Sequence, residues 1–446
     1  MKLTIFQSDK GDCLMLEERD GQGKRMLIDG GMAKSYSEHV APTMGKLKVA
    51  KKSLDVVYVS HIDDDHISGV LQLLDDVVAW RVFRFQSASG NTRVKKPKVP
   101  EPPTPKEIWH NGFSSLLKEN NEAIEDALSA SATVLSAAPD NVRAADSNIR
   151  LTDLAEQNQD LVTGVNTAIQ VSNRISAKQL KIPLNPPEGG KLMFVRPNAK
   201  PIKLGTMRIQ ILGPRSADLK HLRDDWNKWL RNNKEALSAL RQQAKETEDK
   251  LGSEAERVMA PMIEQAKVLG DSSSVTPPNL ASLMLLVEQG NANNIKRIIL
   301  TGDGLGSEVI HGLKDLGKLR GDGTLHVDVL KMMHHGSEHN MDEDFPKLIT
   351  ADHYIFCGNG FSGNPEEIVV DAVLASRLGT GKRRSKNPEA GNPFHVWINT
   401  HPSVVTNAEY RDQIKKIEKL VNEQQAKSNG QLTVHFLKED AFSFSV

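Results

Sequence analysis

The sequence predicts an α/β fold whose strands fall in two blocks around a helix-rich middle. Three observations predict it. Short apolar runs separated by Gly- and Asp-rich turns fill the first ninety residues, and similar runs resume after about residue 200. The stretch between them is polar, rich in Ala, Asn and Ser, with helical spacing and Pro-rich breaks. We therefore expect one α/β domain built from residues 1–90 and about 201–446, with a helix-rich insertion at 91–200 and a second helical excursion at about 216–270.

In chain order, Leu3 to Phe6, Cys13 to Leu16 and Met26 to Ile28 read as strands between the turns DKGD and RDGQGK. Val56 to Val59 is a buried strand, Ile67 to Leu74 has helical spacing, and Val82 to Phe85 reads as a further strand. Residues 93–106, RVKKPKVPEPPTPK, form a basic, Pro-rich linker or surface loop, and PLNPPEGG at 183–190 breaks the chain again. Met207 to Leu212 alternates like a strand. The excursion after it is charged around Leu219, Leu222, Trp226, Trp229 and Leu230, with the two tryptophans on the packed side of a helix. Strand-like runs return at Leu283 to Val287, Ile298 to Leu300 and Val327 to Met332, and end with Tyr354 to Phe356.

Bulk properties exclude several classes. Of the 446 residues 38% are apolar and 26% charged, with a formal net charge of zero, so a polyanion would have to meet a local patch. The two cysteines, Cys13 and Cys357, cannot form a disulfide framework and suit a reducing compartment. The N-terminus turns polar after six residues and no run of about 18 apolar residues occurs, so neither a signal peptide nor a membrane span is expected and the cytoplasm is the default location. No Gly-rich phosphate loop sits in a strand–helix context.

The chemistry concentrates in V59-S60-H61-I62-D63-D64-D65-H66, where a strand delivers His61, Asp63, Asp65 and His66 within six residues of a helix start. Alternate residues leaving a strand point the same way, so His61, Asp63 and Asp65 can converge while His66 reaches over from the turn. A helix N-cap would explain one aspartate, not two histidines with three aspartates. Imidazole suits Zn²⁺ and carboxylate suits harder ions such as Mn²⁺, and the cluster holds more donors than a structural zinc needs. A dinuclear site with open positions fits it.

HIDDDH resembles the H-x-[HD]-x-D-H signature of the metallo-β-lactamase superfamily, in the variant with Asp at the second His. That variant is similar to the hydrolase domain of the ComEC-type DNA-uptake channel and to related stand-alone nuclease-like proteins. Further landmarks follow in order: Gly11-Asp12-Cys13, L27-I28-D29-G30-G31, the strand from Met207 to Pro214, N279-L280-A281-S282-L283, L300-T301-G302-D303, and K331-M332-M333-H334-H335-G336-S337. The resemblance covers residues 1–85 and about 205–375 and implies an αββα sandwich carrying helix-rich insertions.

It also implies roles. Asp303 would bridge two divalent metals (Zn²⁺ or Mn²⁺), with His61 and Asp63 on the first and Asp65 and His66 on the second. Either His334 or His335 would complete the ligand set of the second metal, and Asp29 would orient ligands from behind. The third histidine of most superfamily members has no counterpart; Asn279 or Ser282 occupies that region, and Asn364 stands where a later histidine is expected. The first metal would then be weakly held or arrive with substrate. Glu308 is expected to be structural, and Cys13, in its apolar run, to have no catalytic part.

A metal-activated hydroxide would attack, with Asp65, His66, Asp303 and His335 in the catalytic constellation and His339 or the non-ligating histidine of the pair as general acid; an exposed loop position is the competing reading of His339. A phosphodiester, DNA foremost, is the expected substrate, and the basic runs R93-V94-K95-K96-P97-K98 and K382-R383-R384-S385-K386 are candidate phosphate contacts or simply solvated loops. Aromatic content of 5% offers little base-stacking surface. Alternatives are a hydrolase of a small phosphodiester or phosphocholine-like ester, and a metal-stabilised regulatory module without catalysis. Stand-alone relatives of this pattern look like bacterial antiviral-defence effectors, which would imply an activating protein partner.

Overall fold

The computed structural model describes residues 1–112, 164–224 and 279–446, apart from 20, 22, 165, 166, 222, 280, 292 and 293. Trp226, Trp229 and most of the helical excursion lie outside the described residues.

The first block of apolar runs becomes β1 (Lys2–Phe6), β2 (Leu14–Glu17), β3 (Arg25–Ile28) and β4 (Val56–Tyr58). These sit in a sheet, six-stranded among the described residues, whose order places a C-terminal strand, β14 (Ala441–Ser445), beside β1 and β5 (Glu107–Trp109) beside β4. Among the described residues the second sheet has eight strands. They are β6 (Ile202–Leu204), β7 (Met207–Gly213), β8 (Met284–Asn291), β9 (Asn294–Leu300), β10 (Leu325–Lys331), β11 (Ile349–Phe356), β12 (Phe394–Ile398) and β13 (Leu432–Phe436). From β9 to β13 the neighbours run parallel.

Strand alternation sorts the side chains into three apolar layers. Leu3, Ile5, Tyr58 and Trp109 of one sheet meet Leu285, Ile298, Val329 and Ile355 of the other. The opposite faces are covered by helices. Over the first sheet lie α1 (Ala41–Val49), α2 (Asp64–Ala88) and the helix of residues 167–175. Over the second lie α3 (Gly306–Asp315), α4 (Glu367–Leu378) and α5 (Ala408–Lys427). The result is an αββα sandwich, and each fully buried Leu, Ile, Val or Phe in it is worth about 1.5–3 kcal/mol.

Four expectations are corrected. Val82 to Phe85 is not a strand but the end of the 25-residue α2, where Val82 and Phe85 are exposed and no buried periodicity marks the helix. The Pro-rich stretch is a loop throughout but lies at the surface only in its first half; Pro102, Pro103 and Pro105 are buried and lead into β5, so the sheet takes a strand from residues assigned to the insertion. Residues 167–175 likewise belong to the packed layer, through Ala168, Ile169, Val171 and Ile175. Strands do not end at Phe356 either: β12, β13 and β14 follow it.

The turns that follow β3, β4, β9, β10 and β11 gather at one end of the sandwich, outside the carboxyl ends of the strands, where α/β sheets place their sites. Gly164 packs there against Ile62 and Asp63. No helix among the described residues is long and apolar enough to cross a membrane.

Candidate metal centre

Asp63 takes the N-cap position of α2 without capping it by its side chain, leaving the carboxylate to face His61, 3.5 Å from its Nε2. The first turn of α2 then supplies Asp65 and His66. The helix start can sit this close because Gly11, Gly30 and Gly69 carry no side chain: a Cβ on Gly11 would lie 1.7 Å from the Asp65 carbonyl oxygen, and one on Gly69 2.0 Å from that of Gly30. Asp303 follows β9 and is 2% exposed.

His334 and His335 follow β10. Consecutive strand residues would face opposite ways, yet both histidines turn inward, because His334 (φ 42°), His335 (φ 57°) and Gly336 (φ 92°) form a left-handed turn. Non-glycine residues in that region cost about 1–3 kcal/mol each and persist where surrounding bonds over-determine them. Here His334 N donates to Gly302 O at 3.2 Å, and Asn340 Nδ2 donates to Asp303 O at 2.8 Å.

Four imidazoles converge on one oxygen. Asp303 Oδ2 lies 3.3 Å from the Nε2 of His66 and of His335, and 3.7 Å from that of His61 and of His334. His335 Nε2 is also 3.2 Å from Asp65 Oδ2, and His66 Nε2 3.9 Å from Asp65 Oδ1. The sequence left open which of His334 and His335 belongs to the cluster; both face it.

The rings are held from behind by Nδ1. For His66 the partner is Asp29 Oδ2 at 3.0 Å, for His61 Ser60 Oγ at 3.0 Å, and for His334 Asn340 Oδ1 at 2.8 Å; Asp12 Oδ1 lies in ion-pair range of His335 Nδ1, at 3.2 Å, without hydrogen-bond geometry. Each facing group is an acceptor. Asp29 and Asp12 are carboxylates, Ser60 Oγ already donates to Asp29 Oδ2, and the Asn340 amide nitrogen is committed to Asp303 O. The neutral rings thus carry their proton on Nδ1 and offer the Nε2 lone pair forward, the arrangement of metal-ligating histidines. Nε2 of His61 and of His66 is buried with no hydrogen-bond partner, and so is Asp63 Oδ1. Unpaired buried donors and acceptors cost about 1–3 kcal/mol each, and cations coordinated at this point would satisfy all three.

Electrostatics agree. Burial opposes charge on His66 and His335, but Asp303 and the neighbouring carboxylates outweigh it and lift both well above the usual imidazole range. Burial likewise works against the Asp303 carboxylate, which His66, His335 and His334 nonetheless hold well below its usual range. Without cations, protons on the histidines balance the carboxylates.

Of the expected supporting residues, Asp29 lies behind His66: Ser60 N and Ser60 Oγ donate to it at 2.7 and 2.8 Å besides its contact with that ring. Asn279 and Asn364 are buried, and neither amide oxygen has a hydrogen-bond partner; it is Ser282 Oγ that accepts from Asp303 N, at 3.3 Å. His339 is exposed on the turn after the pair, and its neighbour Asn340 makes the contact instead. Glu308 accepts from Arg215 Nε at 2.8 Å on the far side of α3's first turn, a structural pairing. Cys13 is buried in the apolar layer under α2, and burial raises its thiol well above its ordinary value.

Three residues escaped the sequence reading. His110, at the end of β5, is buried with both ring nitrogens unpaired, and burial first, then His61, lower it to about 4. Asp12 and Lys331 lie directly beneath the cluster. Lys331 left a signal: in LHVDVLK it shares its face with Val329, which points between the sheets. Together Asp12, His66, Asp303 and His335 place one potential ligand atom each within 4.8 Å of one another.

The two basic runs lie elsewhere. Residues 93–98 follow the far end of α2, where Lys96 sits 5.5 Å over the ring of Trp80, roughly 24 Å along the helix axis from Asp64. Residues 382–386 follow α4 at the amino ends of the parallel strands: Ser385 Oγ donates to Lys347 O just before β11. Arg383 pairs with Asp371, and Arg384 holds Arg377 O at 2.8 Å.

Comparison with known proteins agrees with this arrangement where it finds anything. No curated protein matches the chain. Residues 9–79, which carry Asp12, Asp29 and the whole His61–His66 segment, match the model of the metallo-beta-lactamase superfamily, and the two sheets with their outer helices have that superfamily's sandwich fold.

Proposed function

We propose that the chain is a metal-dependent phosphodiester hydrolase with a dinuclear centre. The observation that carries the reading is the convergence of four Nε2 lone pairs on Asp303 Oδ2, with the Asp63 carboxylate beside His61 and that of Asp65 beside His66 and His335. His61 and Asp63 would hold one divalent ion, His66, His335 and Asp65 the other, with Asp303 between them and His334 at the mouth. The charge fits. The carboxylates of Asp12, Asp29, Asp63, Asp65 and Asp303 face one ammonium, Lys331, and leave four negative charges, matching two divalent cations. Bound there, Zn²⁺ or Mn²⁺ would supply a water acidic enough to ionise near neutral pH and positive charge for phosphoryl oxygens.

The chain's own residues do the rest. Ser60, Asp29 and Asn340 fix the tautomers of His61, His66 and His334, and Asp12 faces Nδ1 of His335 at ion-pair distance, so that no imidazole has to reorient during reaction. Asp63, Asp65 and His334 have side chains 20%, 15% and 26% exposed, against 3% or less for His61, His66 and Asp303; substrate enters from their side. A carboxylate-rich donor set favours oxygen-ligand ions that also bind phosphate, which supports a phosphodiester over an amide.

DNA is the polymer reading, on the likeness to nuclease-type hydrolases, and an activating protein partner belongs to it. The remoteness of both basic runs favours a second reading, a small phosphodiester that needs no backbone track. Supercoiled plasmid and a chromogenic small diester, each offered to Mn²⁺- or Zn²⁺-reconstituted protein with Asp303→Asn and His61→Ala alongside, separate them. Plasmid cleavage lost in both variants supports the nuclease; diester turnover without plasmid cleavage supports the small substrate; no turnover by metal-loaded protein with its partner's source lysate added leaves a non-catalytic module.

A further inference from the structure

Lys331 is the last residue of β10 and 1% exposed. Its ammonium contacts Asp12 Oδ2, donates to Gly302 O at 3.1 Å, and lies 3.6 Å from Asp303 Oδ1. Asp12 in turn has its other oxygen 3.2 Å from His335 Nδ1. By distance alone Asp12 qualifies as a metal ligand. Its Oδ2 is nevertheless engaged by the ammonium, and its Oδ1 lies in ion-pair range of the His335 ring. Burying such a pair costs several kcal/mol per ion before attraction offsets it, and apolar replacements of buried pairs are often neutral or stabilising. Stability is thus a poor reason for the pair to be here.

We propose that Lys331 and Asp12 are positioning residues for the metal centre. Lys331 restrains Asp303 by Oδ1, so that only Oδ2 faces the four histidines. Asp12 restrains His335 by Nδ1, so that Nε2 does. An unrestrained Asp303 would rotate and offer both oxygens to one ion, and the bridge between two ions would be lost. Asp12 supports the ligands without being one of them. The inference rests on the dinuclear reading above.

The test uses the full chain and the variant Asp12→Asn/Lys331→Met, which removes both charges and leaves the net charge unchanged. Mn²⁺ is the probe, with binding followed by chelator competition and coupling of the two ions by electron paramagnetic resonance. Wild type is expected to bind two ions with an exchange-coupled spectrum. The double variant is expected to melt near wild type when metal-free, to bind the second ion at least tenfold more weakly, and to lose the coupled spectrum. Lys331→Met alone, with Asp12 still present, is expected to lose the coupling as well. Should the double variant not fold, Lys331→Gln keeps an amide donor toward Asp12 and is expected to retain two ions with weakened coupling. Wild-type affinity and coupling in the folded double variant would overturn the proposal. So would loss of a metal in Asp12→Asn with both kept in Lys331→Met, since that pattern marks Asp12 as a ligand. A wild-type chain that binds no metal would overturn the dinuclear reading itself, and this inference with it.

Discussion

Replacing Asp29 by Asn changes one atom of a buried carboxylate and should weaken the centre without touching a proposed ligand. Asp29 accepts from Ser60 N on Oδ1, and from Ser60 Oγ and His66 Nδ1 on Oδ2, at 2.7, 2.8 and 3.0 Å. An amide has one oxygen. If that oxygen keeps Ser60 N, the NH₂ faces His66, whose proton must move to Nε2 and block the lone pair aimed at Asp303. If the amide is turned round, its NH₂ meets the Ser60 N–H and a buried donor goes unpaired. Either arrangement costs about 1–3 kcal/mol. Loss of such an orienting partner typically weakens metal binding about 10- to 100-fold. The assay is competition for Zn²⁺ against a chromophoric chelator, with the melting temperature of the metal-free variant as a control for folding. Wild-type affinity at both ions in a folded Asp29→Asn protein would refute the argument that the ring's rear hydrogen bond fixes its tautomer.

Four further outcomes follow from the structure. Because His66 and His335 hold protons above the usual imidazole range only when cations are absent, metal binding at pH 7 should release protons, measurable by calorimetry in buffers of different ionisation enthalpy. Their raised affinity for protons stabilises the metal-free fold fully below about pH 6.5 and is lost as pH rises through the folded value, so the gap in melting temperature between loaded and metal-free protein should widen from pH 6 to 9. On β11, β12 and β13, His353 and His435 are lowered to about 4, by burial first and by His395 next; His435 stacks on Trp397, and His353 Nδ1 accepts from Trp397 Nε1 at 3.0 Å. They take up protons more readily unfolded, so stability should be complete above about pH 6.5 and decline towards pH 4, and His435→Phe should flatten that decline in urea melts. Finally, neutralising Lys382, Arg383 and Lys386 together should leave turnover and its salt dependence unchanged, since that run lies at the end opposite the centre; a steep loss with polymer substrate would mean that the substrate wraps the whole sandwich.

The parts of the site legible in the sequence were those packed into short segments. His61 to His66 spans six residues and needs only strand and helix geometry to converge. Asp303 and the His334-His335 pair could be placed by likeness, but not the left-handed turn that brings both rings inward. Asp12 and Lys331 are 319 positions apart, and their contact exists only once the two sheets are stacked. The fold shows the same limit. β12 and β13 carry His395, His435 and other half-buried residues on one face, so their apolar runs are broken, and β14 is a short outer strand of alternating Phe and Ser. α2 was cut short for the opposite reason: its last turns present Val82 and Phe85 to solvent, and exposed β-branched and aromatic residues imitate a strand. The Pro-rich stretch misled because proline suits a loop, while Pro102, Pro103 and Pro105 here pack as apolar side chains ahead of β5.

The most direct test of the account is the number of divalent ions held per chain, by equilibrium dialysis of wild type and of Asp303→Asn with elemental analysis. Two ions in wild type and one or none in Asp303→Asn is the predicted result, because Asp303 Oδ2 is the point on which both sets of donors close. No bound metal in wild type, or two ions retained with unchanged affinity when Asp303 is replaced, would contradict it.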